Sequence, residues 1–95
     1  MNEDLFRRIQ RDLPGWRVNG KELVARWIFP DFAAALAAAV RVGALAERAD
    51  HHPDLSLGWG RLEVRLTTHS AGHLTEKDMA LAGTISTALG YPQET

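Results

Sequence analysis

Four histidines stand close together in this sequence, and imidazole is the side chain best suited to proton transfer near neutral pH. They are His51, His52, His69 and His73, and all of them fall within residues 47–78. The unperturbed pKa of imidazole lies nearest neutrality, so the ring can both give and take a proton under cellular conditions. We expect a chain that gathers its histidines in one segment to build a site there.

Acidic residues accompany the histidines. Glu47 continues an apolar stripe on a predicted helix, so it either faces a cleft or is a solvated last-turn residue. Asp78 fits a capping box at the start of a later helix, a role that needs no active site. Because proline makes His52 extended, and neighbours in an extended chain project in opposite directions, His51 and His52 are not expected to ligate one metal ion together. Both can still border one cleft.

Size and composition exclude several classes of function. The chain has 95 residues, a net charge of −1 and no cysteine, which predicts one domain over residues 1–95 and excludes thiolate nucleophiles and disulfides. The balanced charge argues against binding to a nucleic-acid backbone. No apolar run is long enough to span a membrane, and no signal-peptide pattern is visible. We therefore expect a cytoplasmic protein that binds neither nucleic acid nor membrane.

Helix and strand signals follow one another in a simple order. Helices are predicted over residues 2–13, 32–49 and 76–89, with caps at Asn2, Asp31 and Thr75. Strands are predicted over residues 16–18, 21–29, 54–57 and 61–68, with Asn19 and Gly20 as the turn of the first hairpin.

The order helix, strand, strand, helix, strand, strand, helix predicts an α+β two-layer sandwich. Strands that are joined by hairpins form an antiparallel sheet, here of four strands, with the three helices packed on one face. The open edges of such a sheet and the small core favour a homodimer or a homotetramer.

Two apolar features are expected to face the interior. Phe32, Leu36 and Val40 form a stripe along the alanine-rich second helix and should point towards the body of the protein. Trp59 shares a strand face with leucines and is also expected to pack.

The spaced acids, histidines and aromatic residue also match a pattern known from one family. The matching positions are Glu47, His51, His52, Pro53, Trp59, His69 and Asp78. On these residues the chain resembles the pterin-4a-carbinolamine dehydratases, also known as dimerisation cofactors of a hepatocyte transcription factor. The resemblance covers nearly the whole chain. It departs from the family at His73, where a glycine is common, and in the alanine content of the second helix.

The resemblance implies a hydro-lyase that removes water from a 4a-hydroxytetrahydropterin and gives a quinonoid dihydropterin, as part of tetrahydropterin recycling. By this resemblance His51, His52 and His69 surround the C4a–N5 edge of the pterin. Our hypothesis is that His51 is the acid that protonates the leaving hydroxyl, and that His52 or His69 accepts the proton from N5. General acid and base catalysis of this kind needs no metal and no cofactor.

The resemblance also implies a set of substrate-binding residues. In that reading Trp16 covers the pterin ring, the acids near His51 orient the imidazoles, and side chains after the last strand bond the amide edge of the pterin. The full set is Trp16, Glu47, Asp50, Pro53, Thr68, Ser70, Ala71 and Asp78. His73 and Lys77 are expected to be solvated surface residues.

Two other functions fit the same sequence. The histidines and nearby acids have the chemistry of zinc ligands, which is the basis of a metal-binding alternative. A small domain with open sheet edges can also act as a non-catalytic interaction or assembly module, a role that members of the family take with other proteins.

Overall fold

The computed structural model describes residues 2–93, which form three helices and four strands. In chain order these are α1 (Glu3–Asp12), β1 (Arg17–Asn19), β2 (Glu22–Ile28), α2 (Phe32–Ala49), β3 (Asp54–Gly58), β4 (Arg61–Leu66) and α3 (Glu76–Leu89). Asn2, Asp31 and Thr75 cap α1, α2 and α3 with their side chains, as the sequence predicts.

The four strands form one antiparallel sheet in the order β1–β2–β4–β3. Alternate residues of the two central strands point inward and pair across the sheet, namely Leu23 with Leu66, Ala25 with Val64 and Trp27 with Leu62. All six are buried in one core with apolar side chains from the three helices. The predicted α+β two-layer sandwich is therefore confirmed, because period-two alternation can bury only one face of such a sheet.

Helix α2 packs through its small residues, which corrects the prediction for its larger ones. Its buried residues are Ala35, Ala38, Val42 and Ala46. The stripe predicted to face inward is instead exposed, by 45% at Phe32, 44% at Leu36 and 66% at Val40. Alanine lets the helix backbone approach the rest of the protein closely, whereas bulkier side chains on that face would hold it away. We call Phe32, Leu36 and Val40 the α2 stripe.

Two further local predictions are wrong. The turn between β1 and β2 consists of Gly20 and Lys21, because Asn19 is still paired with Glu22 across the hairpin. Gly20 has φ +62°, a conformation that glycine adopts without strain. Trp59 lies in the turn between β3 and β4 and is 74% exposed, so it does not pack within this chain.

The outer face of the sheet carries a cluster of ion pairs centred on Glu63. Its carboxylate accepts a hydrogen bond from Arg26 Nε and another from Arg65 Nη1, each of 2.8 Å, and its side chain is only 16% exposed. The bond from Arg65 has the largest effect and the bond from Arg26 the next largest, and together they hold the pKa of Glu63 below its ordinary value. Such a carboxyl stabilises the fold above the pKa it has in the unfolded chain, and this contribution is lost as the pH falls through the folded value.

Replacing Glu63 with Gln should therefore lower the free energy of unfolding by about 1–2 kcal/mol at neutral pH, because two charge-assisted hydrogen bonds are lost. The difference from the wild type should shrink below about pH 4.3, because the unfolded wild-type chain then takes up a proton that the folded carboxyl does not, and it should vanish once the pH falls below the lowered folded pKa. Urea unfolding at a series of pH values measures both effects.

Glu22→Gln is the matched control, since the Glu22 carboxylate approaches Arg65 Nε only to 3.9 Å. We expect it to change the free energy of unfolding by less than about 0.5 kcal/mol. A difference between Glu63→Gln and wild type that stayed constant down to about pH 3 would contradict the assignment.

Candidate active site

A shallow cleft lies where the end of α2, the end of β4 and the start of α3 meet. Its volume is about 290 Å³, close to the ~300 Å³ at which small-molecule sites begin. The residues that line it are Asp50, His51, His52, Thr67, Thr68, His69, Ser70 and Lys77. The fold thus brings three histidines from two separate segments of the chain to one cleft.

Helix α2 ends in a left-handed turn at Asp50, which has φ +51° and ψ +42°. The N–H of Asp50 donates to the carbonyl of Glu47, and the N–H of His51 donates to the carbonyl of Ala46, both at 3.2 Å. Together these bonds make a Schellman motif, which ends the helix and redirects the chain. Within residues 2–93, Asp50 is the only non-glycine residue with positive φ. Asp50 therefore lies at the cleft because it forms the left-handed turn that ends α2.

Beyond this turn, His51 reaches the buried carboxylate of Asp78. His51 Nε2 lies 2.6 Å from Asp78 Oδ1; the imidazole is 12% exposed and the carboxylate is wholly buried. The other oxygen, Oδ2, accepts hydrogen bonds from the Thr68 hydroxyl at 2.6 Å and from the Thr75 backbone N–H at 2.9 Å. An ionised carboxylate can only accept, so this bond assigns a hydrogen to His51 Nε2 and leaves Nδ1 for other partners.

His52 is held differently, by a pair on the surface. Its Nε2 lies 2.6 Å from Glu47 Oε1, with the two side chains 56% and 78% exposed. Surface pairs of this kind contribute roughly 0–1 kcal/mol, so His52 is less firmly fixed than His51. Of the two alternatives for Glu47, the structure supports the solvated last-turn residue, and that residue also orients His52.

His69 and Ser70 lie in a tight loop that follows β4. The N–H groups of Ala71 and Gly72 both donate to the carbonyl of Thr68, at 3.1 and 3.0 Å, and Gly72 has φ +74°. The loop is thus closed by its own backbone, and it leaves His69 and Ser70 exposed at the cleft. Strand-end loops on a rigid scaffold commonly carry reactive groups in this way.

Trp16 does not join this group, although the resemblance implied that it covers a pterin ring. It is 6% exposed, its Nε1 donates to Ser86 Oγ at 2.8 Å, and its ring packs edge to face on Trp27. Ser86 lies eight residues beyond Asp78 on α3, or about 12 Å along the helix. Trp16 is therefore a core residue away from this cleft. The other implied residues outside the lining of the cleft are Glu47, Pro53, Ala71 and Asp78.

Thr68 and Asp78 are also placed differently from the expectation. Both side chains are buried, 5% and 0% exposed, and they bond each other. Their polar atoms are thus turned towards the protein and not towards the amide edge of a ligand, which corrects that part of the implied set.

Lys77 is exposed, as the sequence indicated, and it also lines the cleft. Lys77 follows the Thr75 cap by two positions. The capping box that locates Asp78 therefore also places Lys77 in the first turn of α3, next to the cleft. An ammonium group carries three hydrogen-bond donors and no acceptor. His73 lies outside the cleft, with its Nδ1 2.8 Å from the carbonyl of Leu74.

Metal binding finds little support in this geometry. Among residues 2–93, no three His, Asp or Glu side chains are placed to hold a metal ion. The Nε2 atoms of His51 and His52 are each engaged by a different carboxylate. In the same part of the chain, no helix is long and apolar enough to cross a membrane.

A family model described as Pterin 4 alpha carbinolamine dehydratase matches residues 1–88 of the sequence. The chain belongs to this family. The resemblance drawn from the spaced histidines and acids is thereby confirmed.

Two bacterial relatives of similar length carry the name "Putative pterin-4-alpha-carbinolamine dehydratase". The protein of Thermomicrobium roseum is 46% identical over 72 residues, which are 76% of this chain and 77% of the relative. The protein of Thermosynechococcus vestitus is 47% identical over 75 residues, which are 79% of each chain.

Two solved structures share the fold of this pterin-4-alpha-carbinolamine dehydratase family member. A transcriptional coactivator/pterin dehydratase from Brucella melitensis has a TM-score of 0.83 at 30% identity, over 92% of this chain and 95% of that one. A pterin dehydratase-like protein described as a RuBisCO assembly factor in the alpha-carboxysome has a TM-score of 0.68 at 26% identity, over 81% and 92%. Because these descriptions name both catalysis and protein partners, the function must be argued from the site.

Variants of Asp50 test whether the fold is stabilised at the end of α2 by the left-handed backbone turn or by the Asp50 carboxylate. Asp50→Gly should leave the free energy of unfolding unchanged or raise it, because glycine adopts φ +51° without a Cβ clash. Asp50→Ala should lower it by about 1 kcal/mol, since alanine is strained there. Urea unfolding of both variants, with Asp50→Asn as the control that tolerates this region, measures the effect. If the Gly and Ala variants lost the same amount of unfolding free energy, the Asp50 carboxylate and not the turn would be what stabilises the fold.

Proposed function

We propose that this protein is a 4a-hydroxytetrahydrobiopterin dehydratase, a hydro-lyase that converts pterin-4a-carbinolamine to quinonoid dihydropterin. The observation that carries the proposal is that His51 is anchored by Asp78 at a cleft which two further histidines line. Membership of the family supports the reaction class, and the cleft supports the chemistry. Such an enzyme returns the spent pterin to the pool that is reduced to tetrahydropterin.

The reaction requires one proton to be delivered and one to be removed. The C4a hydroxyl leaves as water once it is protonated, and the electron pair of the departing N5–H bond forms the new double bond between N5 and C4a. An acid and a base that act on the same edge of the ring are sufficient, and each typically contributes about 10²–10⁴-fold.

His51 is the proposed acid. Its Nε2 hydrogen is held by Asp78, so Nδ1 is the atom that delivers the proton to the hydroxyl. The Asp78 carboxylate compensates the charge of the imidazolium and fixes the plane of the ring, as the buried carboxylate does in hydrolase triads. A fixed ring contributes to rate because little reorientation is needed when the substrate arrives.

His52 or His69 is the proposed base for the N5 proton. Both line the cleft from different segments, and both are exposed enough for a proton to pass on to solvent. The exposed hydroxyl of Ser70 and the ammonium of Lys77 are proposed partners for the amide edge of the pterin. The cleft of about 290 Å³ is shallow, so we propose that the ring enters it and the C6 substituent points to solvent.

Self-association is proposed with this function. The α2 stripe leaves two large apolar side chains and a valine exposed on one helix face. Exposed apolar patches of this kind commonly mark protein interfaces. A homodimer or homotetramer would cover the patch and add to the small core.

A second candidate function is a non-catalytic assembly module. The observation that favours it is the same α2 stripe, together with the RuBisCO assembly role described for one structural neighbour. A module of this kind has no need of an imidazole anchored to a buried carboxylate, which is why catalysis is preferred.

Turnover of synthetic 4a-hydroxytetrahydropterin by single variants tests the proposal. His51→Ala should lower kcat/KM by about 10²–10⁴-fold, because the acid is removed. His52→Ala and His69→Ala should identify the base. The variant that removes the base should lower kcat/KM by a similar factor, and the other variant should lower it less.

His73→Ala is the matched control, because His73 is exposed and lies outside the cleft. It should retain wild-type turnover. If His51→Ala and His69→Ala both turned over the substrate as the wild type does, the catalytic assignment would be wrong. A wild-type protein with no turnover at all would leave the assembly module as the function.

A further inference from the structure

Two threonine hydroxyls form a chain that ends on the carboxylate that holds His51. Thr75 Oγ1 lies 2.8 Å from Thr68 Oγ1, and the Thr68 hydroxyl donates to Asp78 Oδ2 at 2.6 Å. At the other end, the backbone N–H of Lys77 donates to Thr75 Oγ1 at 3.3 Å. The chain therefore runs from the first turn of α3, through the end of β4, to the acid.

The direction of every bond in this chain is fixed. A hydroxyl has one hydrogen to donate, and that of Thr68 is used on Asp78, so Thr75 must donate to Thr68. Asp78 Oδ2 is left with two donors, the Thr68 hydroxyl and the Thr75 N–H, while Oδ1 faces His51. Two donors on one oxygen hold the plane of a carboxylate better than one does.

We propose that Thr68 is a positioning residue for His51, acting through Asp78 and without touching the substrate. The proposal rests on the proposed function for its kinetic meaning, although the geometry it describes does not. Thr68 is 5% exposed and its hydrogen is engaged, so it has nothing left to offer a ligand. Its role is to keep Oδ1 aimed at Nε2, which keeps the hydrogen of the neutral ring on Nε2 and leaves Nδ1 facing the cleft.

This role predicts a particular kinetic result. Thr68→Val keeps the size of the side chain and removes the hydroxyl, so kcat should fall by about 10-fold, the value of one hydrogen bond to a charged group. KM should stay within about twofold of wild type, because no contact with substrate is lost. Thr68→Ser, which keeps the hydroxyl, should restore kcat. If Thr68 bound the substrate directly, KM would rise instead, and the proposal would be overturned.

A second readout does not depend on turnover. The ¹⁵N chemical shifts of the neutral His51 ring, recorded at alkaline pH, report which nitrogen carries the hydrogen. Wild type and Thr68→Ser should show a single tautomer with the hydrogen on Nε2, and Thr68→Val should show a mixture of both tautomers. An unchanged tautomer in Thr68→Val would overturn the positioning role even if the variant had lost activity. If Thr68→Val did not fold, the wild type alone would still test the proposal. A neutral His51 ring with its hydrogen on Nδ1 would overturn the positioning role.

Thr84→Val is the matched control. Thr84 lies in α3, but the residue is exposed and its hydroxyl donates to the carbonyl of Ala80 within the same helix. It should change neither kcat nor the His51 tautomer. If the wild type had no dehydratase turnover but showed the expected tautomers, the proposed function would fail and the positioning role of Thr68 would stand.

Discussion

The buried carboxylate of Asp78 joins the three segments that form the cleft. One oxygen closes the capping box of α3 and holds the threonine that follows β4, and the other holds the histidine that follows α2. A buried carboxylate is costly unless its oxygens are bonded, so these three segments must meet in one arrangement for the fold to be stable. The position of His51 is therefore fixed by the same interactions that start a helix.

The two ends of the cleft differ in rigidity for physical reasons. His51 is nearly buried and follows a Schellman turn, whereas His52 and His69 are exposed and are held by a surface pair and a short loop. A general acid must meet one atom in one direction, and a base that returns its proton to water must be accessible. The α2 stripe lies on an exposed face of the same helix that ends at the cleft. Association through that stripe would fix the end of α2, and with it the turn at Asp50.

Local chemistry made most of the fold predictable, and the failures share one cause. Caps, the alternation of strand residues and the spacing of the histidines are local patterns, and they gave the order of elements and the segments of the site. The direction of the α2 stripe was predicted wrongly because both faces of that helix are apolar, and periodicity does not say which one packs. The burial of Trp16 depends on contacts with Ser86, far away in the chain. The hydroxyl chain from Thr75 to Asp78 depends on the loop after β4, which folds Thr68 back onto the start of α3. No local pattern specifies such contacts.

The central claim is that the cleft between α2, β4 and α3 binds a pterin ring with its C4a–N5 edge towards His51. The most direct measurement is a crystal structure of the protein soaked with a dihydropterin. The account predicts a flat ring in this cleft, with N5 or C4a adjacent to His51 Nδ1 and within about 3.5 Å of it. A pterin bound at another surface, or one in the cleft with that edge turned away from all three histidines, would contradict it.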